Sequence, residues 1–290
     1  MTKYAPEEGG LLVPCGKCTP CRIQKANEWA IRCEHEMEDW DHYSFITLTY
    51  DDEHIPEGNQ LEPRELQRFL KRLRKRLGHS FKYLAAGEYG ENKANIAGPS
   101  ILTERPHYHI LLFGYDRRWR FNGDDQLRSH PNFLWNGKSW NVIHGPLKDC
   151  WDKGHIWLTG VGKGSARYIA GYTLKSNVKK IGKYHHDGRI ASFFRVSRGL
   201  GYRYCMRNAD TLSRTLSLQR AGKQIGMPRQ YHTWLGITTE QRAARAKKLK
   251  KEEEQHWDDK NKLNDHTLLW KLEEARQRSN QYEHWRAMKS

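Results

Sequence analysis

Residues 105–114 read RPHYHILLFG, and this stretch decides the fold that the sequence predicts. The aromatic and aliphatic run from His107 onward is typical of a buried strand. Because side chains alternate between the two faces of a strand, His107 and His109 project from one face, whereas Tyr108 and the alternate residues after it project from the other. The strand therefore presents two imidazoles side by side.

Segments on both sides of this strand predict the rest of the fold. Residues typical of strands, rich in β-branched and aromatic side chains, occupy three segments: 43–50, 81–88 and 155–159. Apolar residues at three- and four-residue intervals predict helices over 21–37 and 63–78, and a short helix is expected at 204–216. Ser165 can cap another helix, which runs to about residue 177. This order of elements predicts an α+β fold, an antiparallel central sheet with helices packed on one face.

Changes in composition divide the chain into four regions. Residues 1–40 hold a cysteine-containing segment and the first helix, and residues 41–180 hold the sheet. Within them, residues 115–145 are rich in Gly, Asn, Arg and Trp and are interpreted as an irregular insertion outside the core. Residues 181–237 form a basic, loop-rich extension. Residues 238–290 form a charged helical extension, in which RAARAKKLKKEEEQ has six positive and three negative side chains, typical of a solvated or partner-bound helix.

The composition points to a polyanionic partner. The 290 residues carry a net charge of +16, and 11 Trp, 14 Tyr and 8 Phe supply both core material and rings on which bases stack. Basic side chains neutralise phosphates and release counterions, so nucleic acid is the expected partner, and a merely soluble basic protein is the alternative. No apolar run approaches the roughly 18 residues of a membrane span, and no signal-peptide pattern is found, so neither a membrane nor export is expected.

The histidine pair has the residue types of a divalent-metal site. The strand before it ends in GEYGE, so a hairpin partner can place the Glu88 carboxylate beside His107 and His109. Two imidazoles and one carboxylate, with open positions, suit Mn²⁺ or Mg²⁺. Asp51, Asp52 and Glu91 are the rival carboxylates, and an accidental histidine pair is the alternative interpretation.

A second group of polar side chains lies on the helix that Ser165 caps. Tyr168, Tyr172 and Lys175 are spaced by four and three residues and so share one helix face. A tyrosine can attack a phosphodiester and keep the bond energy in a phosphotyrosine link, and a neighbouring cation such as Lys175 can offset the cost of ionising the phenol. Simple packing of the two rings is the alternative.

Basic and thiol clusters complete the candidate residues. Two groups of arginines lie among aromatic residues or glycines and are expected to contact DNA: Arg117, Arg118 and Arg120 in the insertion, and Arg195 and Arg198 in the basic extension. A mobile solvated loop is the alternative for the first group. Four cysteines can form a structural Zn²⁺ site, with unligated thiols as the alternative: Cys15, Cys18, Cys21 and Cys33.

Four stretches, in their order along the chain, resemble the motifs of HUH rolling-circle replication initiators, most closely those of microviruses, the gokushovirus-type single-stranded-DNA phages. They are FITLTYDD at 45–52, GEYGE at 87–91, RPHYHILLFG at 105–114 and YIAGYTLK at 168–175. The likeness spans roughly residues 15–235, because CGKCTPCR, FFRVSRGLG and MPRQYH also resemble that phage group. One departure is Tyr108, which stands where the motif has a bulky apolar residue.

The resemblance implies an RRM-like fold in which His107 and His109 hold the metal and Glu88 is the third ligand. It further implies that Tyr168 and Tyr172 are nucleophiles that nick the viral strand, stay joined to the 5′ phosphate and leave a free 3′-OH, with Lys175 balancing charge. No Walker A loop occurs, so unwinding falls to a host helicase, acting with host polymerase and single-strand-binding protein in the bacterial cytoplasm. A non-enzymatic single-stranded-DNA-binding or packaging protein, and an HUH transposase or relaxase, are the alternatives.

Overall fold

The structure, a computed structural model, describes most of the chain and forms two compact units, Met1–Gly236 and Ile237–Ser290. The described residues are 19–90, 105–115, 133–135, 139–159, 161, 166, 168, 170–171, 180–181, 184–185, 188–220 and 222–261. Within these ranges, no helix has both the length and the apolar character that a membrane crossing requires.

The described part of the first unit contains eleven strands and six α-helices with defined bounds. The strands are β1 Tyr43–Thr49, β2 Lys82–Tyr89, β3 Pro106–Phe113, β4 Phe133–Trp135, β5 Trp140–Val142, β6 Ile156–Thr159, β7 Lys180–Ile181, β8 Tyr184–His185, β9 Phe193–Val196, β10 Ser217–Arg220 and β11 Lys223–Gly226. The helices are α1 Thr19–Met37, α2 Pro63–Leu77, α3 Pro146–Cys150, α4 Tyr202–Arg207, α5 Ala209–Thr215 and α6 Arg229–Trp234. The second unit contains α7, Thr239–Asn261.

Seven of the strands form one antiparallel sheet in the order β4-β5-β6-β1-β3-β2-β9. Strand β3 lies near the middle, hydrogen-bonded to β1 on one side and β2 on the other. The predicted α+β fold with an antiparallel central sheet is therefore confirmed. The hairpins β7-β8 and β10-β11 form two small separate sheets.

Helices cover both faces of the sheet, so the prediction that they lie on one face is wrong. On one face, here called the α2 face, Ile110 and Leu112 of β3 cluster with Phe69 and Leu73 of α2. On the other, the α1 face, Leu111 and Phe113 cluster with Cys33 of α1 and with Ala166. The uninterrupted apolar run after His109 requires cover on both sides, but the order of elements does not indicate which helix covers which face.

Part of the predicted insertion belongs to the sheet. Strands β4 and β5 extend the sheet beyond β6, and Trp140 and Val142 are buried in the main core. The prediction of an irregular excursion is wrong for these residues, because strands of three residues are too short to show a two-residue period among Gly and Asn. The helix expected at 204–216 is two helices, α4 and α5, separated at Asn208.

Helix termini follow the signals in the sequence. Pro63 begins α2, and Gly78 ends it in the left-handed conformation, with φ 70° and its N–H bonded to the Arg74 carbonyl. In the second unit, Thr238 and Gln241 form a reciprocal capping box: the Gln241 N–H donates to Thr238 Oγ1, and the Thr238 N–H donates to Gln241 Oε1. Both signals fix where a helix begins or ends.

A buried ion pair fastens α1 to the sheet. Glu36 of α1 is fully buried, and its carboxylate lies 2.9 Å from the Lys82 ammonium of β2. Trp40 Nε1 and the Gly201 N–H also donate to this carboxylate, at 2.7 and 2.6 Å. With all these partners, the buried charge is compensated, and α1 is held at a fixed place on the α1 face.

We expect Glu36→Ala to destabilise the first unit by about 3–5 kcal/mol, because it leaves the Lys82 ammonium without its buried partner. Urea denaturation followed by tryptophan fluorescence measures this loss. Glu38→Ala is the matched control: its carboxylate is exposed and lies 3.9 Å from Arg207, so removing it should cost at most about 1 kcal/mol. Equal losses in the two variants would contradict the structural role of the buried pair.

Candidate metal and tyrosine site

The sheet register brings one carboxylate beside the two predicted imidazoles. Glu88 of β2 lies opposite His107 of β3, and His109 follows on the same face. Glu88 Oε1 is 3.1 Å from His107 Nε2 and 3.2 Å from His109 Nε2. One ligand atom from each residue lies within 4.8 Å of the others, which is a spacing that a single metal ion can bridge. We call these three residues the metal cluster.

Outer hydrogen bonds orient both imidazoles. His107 Nδ1 donates to the Arg105 carbonyl at 3.1 Å, which directs Nε2 to the centre of the cluster, where it can share a proton with Glu88 or bind a metal ion in place of that proton. His109 Nδ1 lies 2.9 Å from Thr47 Oγ1, whose residue faces His109 in the β1–β3 register. Such second contacts, which fix the ring and its tautomer, are typical of metal-binding histidines.

The carboxylate of the metal cluster is ionised. Burial of Glu88 opposes its charge, but hydrogen bonds and attraction from His107 and His109 outweigh burial and lower the pKa of Glu88 to about 2. A divalent cation can replace the protons that lie between Glu88 Oε1 and the two Nε2 atoms. The carboxylate oxygen and the two ring nitrogens then form a mixed N/O donor set of the kind that divalent metals accept. The residues therefore fit a divalent ion.

The rival carboxylates have other partners. Asp51 Oδ1 lies 2.7 Å from His54 Nδ1, and Asp52 Oδ1 lies 2.6 Å from Arg105 Nη2. Glu91 lies outside the described residues. Among the candidates that the structure describes, Glu88 is thus the carboxylate that accompanies the histidine pair.

Tyr168 lies next to the metal cluster. Its ring centroid is 5.9 Å from that of His109 and 5.9 Å from that of Phe45, and the residue is 56% exposed. Residues 166, 168, 170 and 171 are helical, and Ala166 and Ala170 are buried on the side toward the sheet and α1. The phenol is therefore accessible to a ligand while its helix is packed. Tyr172 and Lys175 lie outside the described residues.

Of the arginines predicted to contact DNA, the structure describes Arg195 and Arg198. Arg195 of β9 pairs with Ala85 of β2, whose side chain belongs to the core on the α2 face. Because side chains in register share a face, Arg195 projects from the α2 face, away from the metal cluster, and its contact with DNA stays a prediction. Arg198 is exposed. Arg117, Arg118 and Arg120 lie outside the described residues.

Cys33 cannot belong to the zinc site proposed for the cysteine cluster. Cys21 and Cys33 both lie on α1, twelve residues apart, which separates them by about 18 Å along a helix that rises about 1.5 Å per residue. Cys33 is buried among Leu111 and Phe113, and burial raises the pKa of its thiol. The four-cysteine set is corrected accordingly, and Cys15 and Cys18 lie outside the described residues.

Tyr108, the departure from the family motif, has a structural reason. Its side chain is fully buried on the α2 face, and its hydroxyl donates to the Glu62 carbonyl at 2.9 Å and accepts the Glu62 N–H at 3.1 Å. The Tyr50 hydroxyl, 2.8 Å away, donates to the remaining lone pair. Because Glu62 is the N-cap residue of α2, this hydroxyl joins the strand that carries His107 and His109 to the start of α2.

Two residues of the site were missed in the sequence. Thr47 bonds His109, and Phe45 packs against both His109 and Tyr168. Both lie in the motif FITLTYDD, so their strand was identified. Their roles depend on the β1–β3 register, which the motif does not reveal.

Comparisons with known proteins give one consistent family. A family model for replication-associated proteins of the ORF2 type matches residues 43–177. The replication-associated protein VP4 of Bdellovibrio phage phiMH2K is 30% identical over 241 residues, which cover 80% of this chain and 70% of that relative. This chain belongs to the family of phage replication-associated proteins. Residues 43–177 of this family member run from β1 past Tyr168 and include the whole metal cluster.

Two further relatives agree with this assignment. The replication-associated protein ORF2 of Spiroplasma virus 4 is 30% identical over 234 residues, 76% of this chain and 66% of that relative. The replication-associated protein ORF4 of Chlamydia phage 1 is 28% identical over 173 residues, 57% of this chain and 39% of that relative. No solved structure matches the chain. The resemblance drawn from the sequence motifs is confirmed.

We expect Mn²⁺ to bind the metal cluster of this replication-associated protein. Isothermal titration calorimetry should show at least about tenfold weaker Mn²⁺ binding in Glu88→Gln and in His107→Ala/His109→Ala, and a loss of up to the same order in Thr47→Val, which releases the His109 ring. Asp51→Asn is the control and should bind as the wild type does. Weaker binding in Asp51→Asn alone would move the site to the rival carboxylates.

We expect Tyr108→Phe to destabilise the protein by about 1–3 kcal/mol, although it makes the motif more apolar, because the Glu62 N–H and the Tyr50 hydroxyl lose a buried acceptor. Thermal and urea unfolding measure the change. Tyr83→Phe is the matched control, since among the described residues no hydrogen bond involves the Tyr83 hydroxyl, and it should change stability by less than about 0.5 kcal/mol. An unchanged free energy of unfolding in Tyr108→Phe would show that the hydrogen bonds of the Tyr108 hydroxyl do not contribute to stability.

Proposed function

We propose that this protein initiates rolling-circle replication as a site-specific single-strand DNA endonuclease and strand transferase that forms a 5′-phosphotyrosine intermediate. One observation carries the proposal: the exposed Tyr168 phenol lies against His109, whose ring belongs to the metal cluster. The names of the phage relatives support a role in replication. The net charge of +16 supports DNA as the partner.

The proposed reaction exchanges one phosphodiester bond for another. The Tyr168 oxygen attacks the phosphorus of the scissile phosphodiester, a bond forms between that oxygen and phosphorus, and the bond from phosphorus to the 3′ oxygen breaks. The phenolic proton passes to solvent, and the departing 3′ oxygen takes up a proton. Because the bond energy is kept in the phosphotyrosine link, the free 3′-OH can reverse the reaction without a nucleotide cofactor.

The residues around the phenol have separate roles in this proposal. Glu88, His107 and His109 would hold Mg²⁺ or Mn²⁺, which when bound supplies charge stabilisation at the phosphate oxygens. Phe45 supports the rings of both His109 and Tyr168. The packing of Ala166 and Ala170 fixes the helix that carries Tyr168. The strand of DNA approaches the exposed side of that ring.

The remaining sequence expectations extend the same proposal. Tyr172, one helical turn after Tyr168, acts as the second nucleophile, so that one tyrosine holds the finished end while the other cuts the regenerated origin, and Lys175 balances the phosphate charge. Arg117, Arg118, Arg120 and Arg198 contact DNA. Cys15, Cys18 and Cys21 supply ligands to a structural Zn²⁺ ion. The protein acts in the host cytoplasm with a host helicase, polymerase and single-strand-binding protein.

The four regions of the chain have their own place in the proposal. The nuclease core is the region 41–180, preceded by the cysteine-containing region 1–40 and followed by the basic region 181–237. The charged helical region 238–290 forms the C-terminal extension.

We expect a covalent protein–DNA adduct when the protein is incubated with labelled single-stranded origin DNA and Mn²⁺ and then denatured. Tyr168→Phe/Tyr172→Phe should abolish the adduct, because no nucleophilic hydroxyl remains on that helix face, and each single variant shows which tyrosine cuts. Tyr202→Phe is the control, since Tyr202 is also an exposed tyrosine. An adduct that persists in the double variant contradicts the assignment, and DNA binding without cleavage by the wild type favours a non-enzymatic single-stranded-DNA-binding protein.

A further inference from the structure

A basic pocket lies between α1 and α6, separate from the metal cluster. It has a volume of about 250 Å³, and its lining residues include Lys25, Glu28, Trp29 and Arg32 of α1 and Arg229 and Thr233 of α6. We call it the α1–α6 pocket. Pockets for drug-sized ligands have volumes of about 300–1,000 Å³. The α1–α6 pocket is slightly smaller, and its volume suits one phosphate with its attached sugar.

Arg32 is a buried cation in the lining of this pocket. The residue is only 8% exposed, and its Nε donates to the Leu200 carbonyl at 2.9 Å. Its guanidinium carbon lies 4.1 Å from the centre of the Trp29 ring and 5.2 Å from that of Trp234. Within the described part of the chain, no carboxylate forms an ion pair with Arg32, and no acceptor other than the Leu200 carbonyl bonds it. A buried guanidinium without a direct ion pair is costly. Glu28 and Glu36 attract Arg32, but its terminal nitrogens remain available to an oxyanion.

The charges around Arg32 favour an anion as well. Lys25 and Arg229 add two exposed cations to the pocket, and Glu28 is its one acidic lining residue. Burial raises the pKa of Glu28, and the Arg229 backbone and the Gln24 side chain donate hydrogen bonds to this carboxylate. The Glu28 carboxylate is therefore engaged at the start of α6. Three cations against one carboxylate leave the pocket positive.

The pocket lies next to the helix that carries Tyr168. Ala26 and Ala30 of α1 pack against Ala170 of that helix, and Trp29 contacts the same cluster. Trp29 also lies 5.4 Å from Phe194 of the sheet, measured between ring centroids. One side of α1 thus contacts the tyrosine helix, and the adjoining side lines the pocket, both over the α1 face of the sheet that holds the metal cluster.

We propose that the α1–α6 pocket binds a backbone phosphate of the same single-stranded DNA, away from the phosphodiester that Tyr168 attacks. This inference rests on the proposed function. Two terminal nitrogens of a guanidinium can donate to two phosphate oxygens at once, a geometry that lysine cannot reproduce. Such a contact carries no sequence information and sets the register of the strand, so that a chosen phosphodiester reaches the phenol. Arg32 is therefore a positioning residue.

The test measures binding of a labelled single-stranded oligonucleotide by fluorescence anisotropy at several salt concentrations. Arg32→Met should weaken binding by about tenfold, the loss of one charged hydrogen-bonding contact, and should flatten the slope of log K against log salt by about 0.7, one single-strand phosphate contact. Arg32→Lys should keep the slope and still lose affinity. Arg68→Met is the matched control, because it removes an exposed cation from α2 on the opposite face, and it should change neither quantity. An unchanged slope in Arg32→Met overturns the proposal.

Further measurements keep the outcome decisive. Thermal unfolding shows whether Arg32→Met is folded, and the exposed pair Lys25→Ala/Arg229→Ala replaces it if it is not, with the same expected flattening of the slope. Thymidine 5′-monophosphate and inorganic phosphate are tested as probes of thermal stability. Arg32-dependent stabilisation by either probe, together with unchanged oligonucleotide binding, overturns the proposal in favour of a free-phosphate or nucleotide site.

Binding of DNA does not require cleavage, so failure of this inference and failure of the proposed function can be separated. The covalent adduct formed by Arg32→Met should fall more at limiting oligonucleotide than at saturating oligonucleotide, because the variant binds the strand more weakly. If the wild type forms no adduct, the proposed function fails while the salt slope still reports on the pocket. If the adduct of Arg32→Met falls equally at both concentrations, Arg32 does not act through binding, and the proposal is overturned.

Discussion

The two-residue period of β3 is the constraint on which the rest of the structure depends. The same strand must place His107 and His109 in the metal cluster on one face of the sheet and Tyr108 in the core on the α2 face. No helix could divide consecutive residues between two opposite environments so sharply, because its side chains turn by a third of a revolution at each step. A central strand of an antiparallel sheet meets this requirement, and both neighbours of β3 then become parts of the site.

Register converts this constraint into a site. Thr47 reaches His109 from β1, and Glu88 reaches His107 from β2, because each faces its partner across the ladder. A shift of one residue in either neighbour would turn these polar groups to the opposite face and would bury them against α2. The apolar clusters on the two faces oppose any such shift. Core packing therefore maintains the position of the polar atoms of the site.

The sequence predicted the parts of the site that depend on local periodicity. The histidine pair followed from strand alternation, Glu88 from the end of the preceding strand, and Tyr168 from its helix. Thr47 and Phe45 escaped because they act through strand pairing, which is a long-range property. The face on which Arg195 lies was missed for the same reason. Strand alternation indicates that Arg195 and Phe194 project from opposite faces of the sheet, yet only the pairing with β2 shows that Arg195 lies on the face away from the metal cluster. Cys33 was wrongly assigned to the zinc site because the assignment used only its spacing in the sequence. The rise of α1 places Cys33 too far from Cys21 for both to bind one ion.

The hydroxyl of Tyr108 has a consequence for the evolutionary history of this position. Tyr50, Glu62 and Tyr108 are joined by hydrogen bonds in one buried junction. Replacement of Tyr108 by an aliphatic residue during evolution would therefore leave the buried polar groups of its neighbours without hydrogen-bond partners. A compensating change at position 50, whose side chain bonds Tyr108, must accompany that replacement or precede it. Positions 50 and 108 should therefore covary among relatives, whereas position 62 takes part through its backbone and need not.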